Sequence, residues 1–238
     1  MQIILISALV FVGAGVGTLT GFGTSTVLIP ALAIVYPVRD VLLFVGIIHL
    51  CSDIWKLLLF RRGIKWKLLV AFGIPGIIAS VLASMIVFAV DQEFLQRLLG
   101  VFILGYVVFL IFRPGFKLPT SMMTATVGGT ASGLMAGLFG IGGAVRSMAL
   151  SVFDLPKAVY LATIGAIALV IDVSRLTGYI SQGQRLEQRL LLGMVIFIPI
   201  SFVGAAAAKR VVDRVPQKHF RTLVAVFLLV AGLKLLFL

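Results

Sequence analysis

The chain has little of what soluble proteins are built from. Of its 238 residues only 12% are charged and 61% are hydrophobic, where an ordinary domain has about a quarter and about half. Those proportions, with a mean hydropathy of +1.20, exclude a soluble globular protein. A single cysteine, Cys51, excludes an internal disulfide and any multi-cysteine metal site. There are two histidines, His49 and His219, and no HExxH, CxxC, paired-carboxylate or P-loop motif. An intramembrane enzyme would need a nucleophile with a base, or a metal cluster, and one cysteine with two histidines speaks against it; no cofactor or metal site is expected. Energy for any transport must come from a gradient or a partner. Acidic residues are scarce, 8 against 20 Lys and Arg, for a net charge of +12. The basic residues fall between apolar runs, which speaks for membrane topology and against nucleic acid. No Lys or Arg precedes Arg39, so the run from Ile3 reads as a retained first helix with no basic n-region before it.

What is present is apolar run after apolar run. A membrane-spanning helix takes about 20 residues, so the chain has material for about eight to ten. The runs are 3–19, 24–36, 41–60, 68–90 and 95–112, then 122–139, 144–153, 158–180, 190–208 and 220–238. The second and seventh are short, follow the breaks Gly21-Phe22-Gly23-Thr24 and Gly140-Ile141-Gly142-Gly143, and stop at Pro37 and Pro156.

That order is a duplication. Shifting the chain by 119 residues aligns 21–60 with 140–179 at nine identities without a gap, among them Gly21/Gly140, Gly23/Gly142, Pro37/Pro156, Gly46/Gly165 and Asp53/Asp172. Lys56/Arg175 adds a charge match. Residues 1–112 thus form a first membrane repeat, 113–119 a linker and 120–238 a second repeat. Arg61, Arg62, Lys65 and Lys67 follow the third run of the first half. In the second half Lys209, Arg210, Arg214, Lys218 and Arg221, against Asp213, follow the fourth. Equivalent loops carry opposite bias, as two repeats inserted in opposite senses would, with both termini outside. A parallel pair of four-crossing repeats is the rival arrangement.

The glycine breaks carry the functional expectation. A helix of 10–13 residues covers only about 15–20 Å of a hydrocarbon core about 30 Å thick. Such a helix begins inside the membrane, with unpaired N–H groups tolerated only where they are buried in protein or line a cavity. Those N–H groups and the positive dipole end favour an anion. The expected substrate site is therefore Thr20, Gly21, Phe22, Gly23, Thr24 and Ser25 with Gly140, Ile141, Gly142, Gly143 and Arg146, the last a buried guanidinium suited to an oxyanion. The spacings Gly13–Gly17–Gly21 and Gly129–Gly133–Gly137 read as close helix packing. Asp53 with Lys56 and Asp172 with Arg175 are either coupling groups or local ion pairs, with structure favoured. His49, mid-helix and unmatched at Ala168, is either a group that titrates near neutrality or a hydrogen-bonded packing residue, with packing favoured. Trp55, Trp66 and Tyr179 read as interfacial anchors.

At its two glycine turns the chain resembles the sulfite exporter TauE/SafE family of anion transporters. The resemblance rests on Gly21-Phe22-Gly23-Thr24 with Pro30, Leu32 and Pro37, and on Gly140-Ile141-Gly142-Gly143 with Leu155-Pro156-Lys157-Ala158. Thr24, Ser25 and Ala144 depart from the further glycine the family usually has in each turn. The resemblance implies an all-α polytopic protein of the bacterial inner membrane that moves sulfite, thiosulfate or sulfonates. The expected function is a secondary carrier of a small anion working by alternating access, alone or as a homodimer in the lipid bilayer. The alternative is a permease subunit that needs a partner protein for another small anionic solute.

Overall fold

The computed structural model describes residues 2–21, 23–60, 63–112, 118–211 and 217–237. Phe22, Arg61, Arg62, Asp213, Arg214 and most of the linker, along with the side chains of Thr20, Lys218, His219 and Arg221, lie outside what is described. The described residues form ten helices and no strand. They are α1 (Gln2–Thr20), α2 (Ser25–Leu32), α3 (Val38–Leu59), α4 (Trp66–Ala89) and α5 (Gln92–Phe112), then α6 (Met122–Phe139), α7 (Gly143–Ser151), α8 (Lys157–Ser181), α9 (Gln188–Val211) and α10 (Gln217–Phe237). Pro37 and Pro156 stand immediately before α3 and α8 in near-identical conformations, φ −53° and −51°. Each ends the preceding turn with an extended backbone that a ring-locked φ allows.

Five helices are long and apolar enough to cross a membrane: α3, α4, α8, α9 and the 92–109 stretch of α5. Helices α4 and α9 are buried on one face only. Val70, Ile74, Ile78 and Leu82 of α4, and Leu191, Leu192 and Val195 of α9, are exposed. In water such stripes would be a liability, whereas hydrocarbon makes them neutral.

The two short helices fold back on the helix before them. In α1 an added Cβ on Gly17 would lie 2.5 Å from the Thr24 nitrogen, and one on Gly13 would lie 3.1 Å from Leu28 Cγ. Residues 13–17 therefore face 24–28 in reverse order. The second pair repeats this, with Ser132 Oγ donating to the Gly142 carbonyl at 2.9 Å and Thr120 Oγ1 to the Val152 carbonyl at 2.8 Å. Both glycine turns are thus tips of helical hairpins. Left-handed φ values of +73° at Gly21, +88° at Gly23 and +68° at Gly140 make the reversals, conformations that cost little only without a Cβ.

The hairpins are held by backbone contact. Added Cβ atoms on Gly129, Gly133 and Gly137 would lie 2.2, 2.1 and 2.5 Å from the carbonyl oxygens of Phe72, Gly76 and Ser80 on α4. The packing assigned to that spacing is what these three glycines do. Corresponding helices of the two halves meet in opposite directions. On α3 and α8, Gly46 faces Leu176 while Gly165 faces Lys56. On α5 and α10, Gly100 faces Leu235 and Gly232 faces Ile103. The pairings also exchange when each helix is replaced by the one five places on: α1 packs on α9 and α6 on α4, α3 on α9 and α8 on α4.

Loops collect at two ends. At one, Arg39 donates to the Val90 carbonyl at 2.5 Å and Gln184 to Asp40 at 2.6 Å. At the other, the Lys65 amide donates to Thr163 Oγ1 at 3.1 Å, and Lys209 lies over the Phe60 ring. Tyr179 corrects an expectation. It is fully buried, and its hydroxyl donates to the Gly137 carbonyl at 2.6 Å and lies 3.2 Å from that of Ala136, so it anchors no interface. Trp55 is half-buried and donates to Ser201 Oγ at 3.1 Å on α9, packing against Phe202. Trp66 is exposed at the start of α4.

Candidate functional site

The two hairpin tips touch. Ser147 Oγ, in the second turn of α7, donates to the Gly21 carbonyl at 2.7 Å, and an added Cβ on Gly21 would lie 3.3 Å from the Tyr160 hydroxyl. Gly140 approaches the first half from the other side, where its added Cβ would meet Ile29 Cδ1 at 2.3 Å and Arg175 Nη1 at 2.9 Å. Gly142 has no room for a side chain against the Ser132 carbonyl, 2.4 Å from where its Cβ would be. Ile141 and Gly143 are buried beside it, Ile141 in the main apolar core.

Around these tips polar side chains are buried without satisfaction. Thr24, Ser25, Arg146 and Arg175 are 0–2% exposed. The hydroxyls of Thr24 and Ser25, Nε and Nη1 of Arg146, and both terminal nitrogens of Arg175 have no hydrogen-bond partner among the described residues. Buried polar groups are ordinarily paired, at a cost of about 1–3 kcal/mol each when they are not. A cluster of orphan donors of this kind is suited to an acceptor-rich group. Thr18 does not join this set, because its hydroxyl turns back to the Ala14 carbonyl at 2.8 Å.

Beneath the tips, α3 and α8 cross through an ionic layer. Asp53 Oδ1 accepts from Lys56 Nζ at 2.8 Å, and Asp172 Oδ1 accepts from Arg175 Nε at 2.7 Å, the local pairs that the three-residue spacing foretold. The two pairs are joined. Nδ1 of His49 contacts Asp172 Oδ2 across the halves and stands 3.6 Å from Asp53 Oδ2. His49 Nε2 points the other way, and an added Cβ on Gly23 would be only 2.4 Å from it. Arg146 is within electrostatic reach of Asp53, Asp172 and Arg175. The described site residues and the expected ion pairs are therefore neighbours in one buried assembly.

The model of the sulfite exporter TauE/SafE family matches residues 5–235. The chain belongs to this family. Family membership and the apolar helices make it a multi-pass membrane protein of a transporter family, one of sulfite and related anion exporters. No curated protein matches it.

Sequence reasoning left Ser147 and Tyr160 of this TauE/SafE chain unremarked and favoured packing for His49. The i, i+4 spacing of His49 and Asp53 was a usable signal, since it puts both on one helix face. Nothing local marks Ser147 as a contact of Gly21, which lies 126 positions away. Three of the clustered groups, His49, Asp53 and Asp172, hold ligand atoms within 4.8 Å of one another. Lys56 and Arg175 already engage one oxygen of each carboxylate, and two added cations disfavour a metal ion there.

Proposed function

We propose that this chain carries a small sulfur oxyanion, of the sulfite, thiosulfate or sulfonate class, across the bacterial inner membrane by alternating access. The observation that carries the reading is the set of unpartnered donors gathered from both halves where the hairpin tips meet. Thr24, Ser25 and Arg146 would take ligand oxygens. Gly21, Gly23, Gly140 and Gly142 leave room for the approach, with the N-termini of α2 and α7 at the same place. Thr20 and Phe22 complete the turn in the sequence. The side chains of Thr24, Ser25, Arg146 and Arg175 are buried, so a ligand enters only if one part of the bundle moves against another.

The same reading makes the halves inverted repeats, each a re-entrant hairpin followed by three crossings. Opposite directions of α3 and α8, and of α5 and α10, support it. Charge supports it as well. The end holding the 33–37, 90–91 and 182–187 loops, with the close of α10, has Arg39, Arg97, Arg185, Arg189 and Lys234 against Asp40, Asp91, Glu93 and Glu187. Among the described residues the other end has Lys65, Lys67, Lys157, Lys209 and Arg210 against Asp154. The positive end is cytoplasmic, which leaves both termini outside. In a Cys51→Ser background, a cysteine at Gln182 should react with an impermeant maleimide in spheroplasts, and one at Lys67 only after lysis. The reverse pattern would overturn the orientation.

The transport reading is tested in proteoliposomes with radiolabelled thiosulfate, sulfite and sulfoacetate. Flux of at least one oxyanion should exceed that of protein-free vesicles, with saturation and cross-inhibition. Absence of saturable flux across the panel would sink the proposal.

A further inference from the structure

Resting on the anion site just described, we propose that His49 is its proton-binding group, so that a divalent oxyanion is taken up together with one proton. The ring is 2% exposed and sits midway along α3, between the carboxylates and the first hairpin tip. Its Nδ1 is committed to Asp172, which keeps a proton on that nitrogen. The second proton can go only to Nε2. That atom has no partner among the described residues and is the one lying against Gly23.

The two states of Nε2 have opposite consequences for a ligand at the tip. Unprotonated, it aims a lone pair at the site and repels an oxyanion. Protonated, it offers an N–H donor and a positive charge. Anion and proton must then favour each other by the same factor, since binding linkage is reciprocal.

The charge around His49 says which anion needs that proton. On its own helix are Asp53 and Lys56, which pair, together with the thiol of Cys51. On α8 are Asp172 and Arg175, which also pair, and the phenols of Tyr160 and Tyr179. From α7 comes Arg146, whose Nε and Nη1 have no hydrogen-bond partner among the described residues. Helix α2 presents the hydroxyls of Thr24 and Ser25, which do not titrate. On α9 no charged residue lies between Arg189 and Lys209, and the described part of α1 has none. With the two pairs balanced, Arg146 is one surplus cation and matches one negative charge. A second negative charge in a site this dry requires a second cation. Among the groups facing Gly23, His49 is the one that can supply it by taking up a proton.

The test uses the purified full chain in detergent, in weakly buffered solution with a pH indicator. Thiosulfate is the probe, because both of its charges persist throughout the neutral range and protons must then be taken by the protein. The wild type should take up about one proton per thiosulfate bound, and affinity should fall as the pH rises. His49→Asn retains an amide donor for Asp172 but has nothing in place of Nε2. It should bind thiosulfate about tenfold more weakly at neutral pH, with no proton uptake and a flat pH profile. Replacing sodium with choline should change neither protein. Wild-type binding without proton uptake would overturn this inference and leave the transport reading standing, and so would uptake that persists in His49→Asn or depends on sodium. No binding of any oxyanion by the wild type would overturn both. Should His49→Asn not fold, the wild-type proton count decides alone.

Discussion

Replacing Arg146 with alanine should weaken oxyanion binding by two to three orders of magnitude and leave the empty protein at least as stable as before. The first half follows from burial. A charge-assisted hydrogen bond to a desolvated ligand, when one partner is removed, costs about 2–5 kcal/mol, which at 1.4 kcal/mol per tenfold is a factor of about 30 to several thousand. The second half follows from Nε and Nη1 of Arg146, which have no hydrogen-bond partner among the described residues. An unpaired buried guanidinium is a cost that the empty protein bears, and removing it relieves that cost. Arg146→Lys should recover only part of the affinity, because an ammonium lacks the guanidinium fork. Thiosulfate titration and thermal unfolding monitored by size exclusion measure the two effects on one sample. Falling thermal stability in parallel with lost binding would mean that Arg146 holds the fold together and does not hold the ligand.

Gly133→Val should abolish folding, while Gly105→Ala should leave stability unchanged or slightly raised. At Gly133 any Cβ lies 2.1 Å from the Gly76 carbonyl oxygen, an atom of the α4 backbone that cannot rotate away. To admit a valine, α4 and α6 must separate by more than an ångström, which also loosens the neighbouring contacts at Gly129 and Gly137. Overpacking costs typically about 1–3 kcal/mol where side chains can adjust, and here the obstacle is main chain. At Gly105 an added Cβ meets nothing within 4 Å. There alanine only restricts the unfolded chain, worth about 0.5–1 kcal/mol in a helix. Yield of monodisperse protein and apparent Tm read both variants. Equal tolerance at the two positions would mean that backbone contact between α4 and α6 is not what secures the hairpin.

How much of this was legible beforehand depended on the range of the interaction concerned. The ten segments followed from apolar runs and from Pro37 and Pro156, and the helices begin and end within three residues of the runs except at the end of α2. That exception is local: the chain leaves the helix after Leu32 and turns through Tyr36, where the apolar run alone continues. Asp53–Lys56 and Asp172–Arg175 were legible because three-residue spacing on a helix is a contact in itself. The His49–Asp172 bond was not, since it joins residues 123 apart and exists only because α3 and α8 cross in opposite directions at Gly46 and Gly165. Tyr179 misled for the same reason. An aromatic near the end of an apolar run ordinarily marks an interface, and its hydroxyl reaches instead into another hairpin.

Tyr179 bears on how far the site's pull extends. At each tip the negative end of one helix meets the positive end of the next, α1 with α2 and α6 with α7. Each end is equivalent to about half an elementary charge. A few ångströms from the tip these opposed half-charges largely cancel, and the Tyr179 hydroxyl on the terminal carbonyls of α6 quiets the negative member further. Field lines from the backbone therefore do not extend far beyond the tips. On the proposed function, an anion would be drawn in only once it is close enough to distinguish N–H from C=O and to meet Arg146. Capture by this protein should thus be a contact event, insensitive to long-range steering, and selective for ions small enough to fit between two glycines.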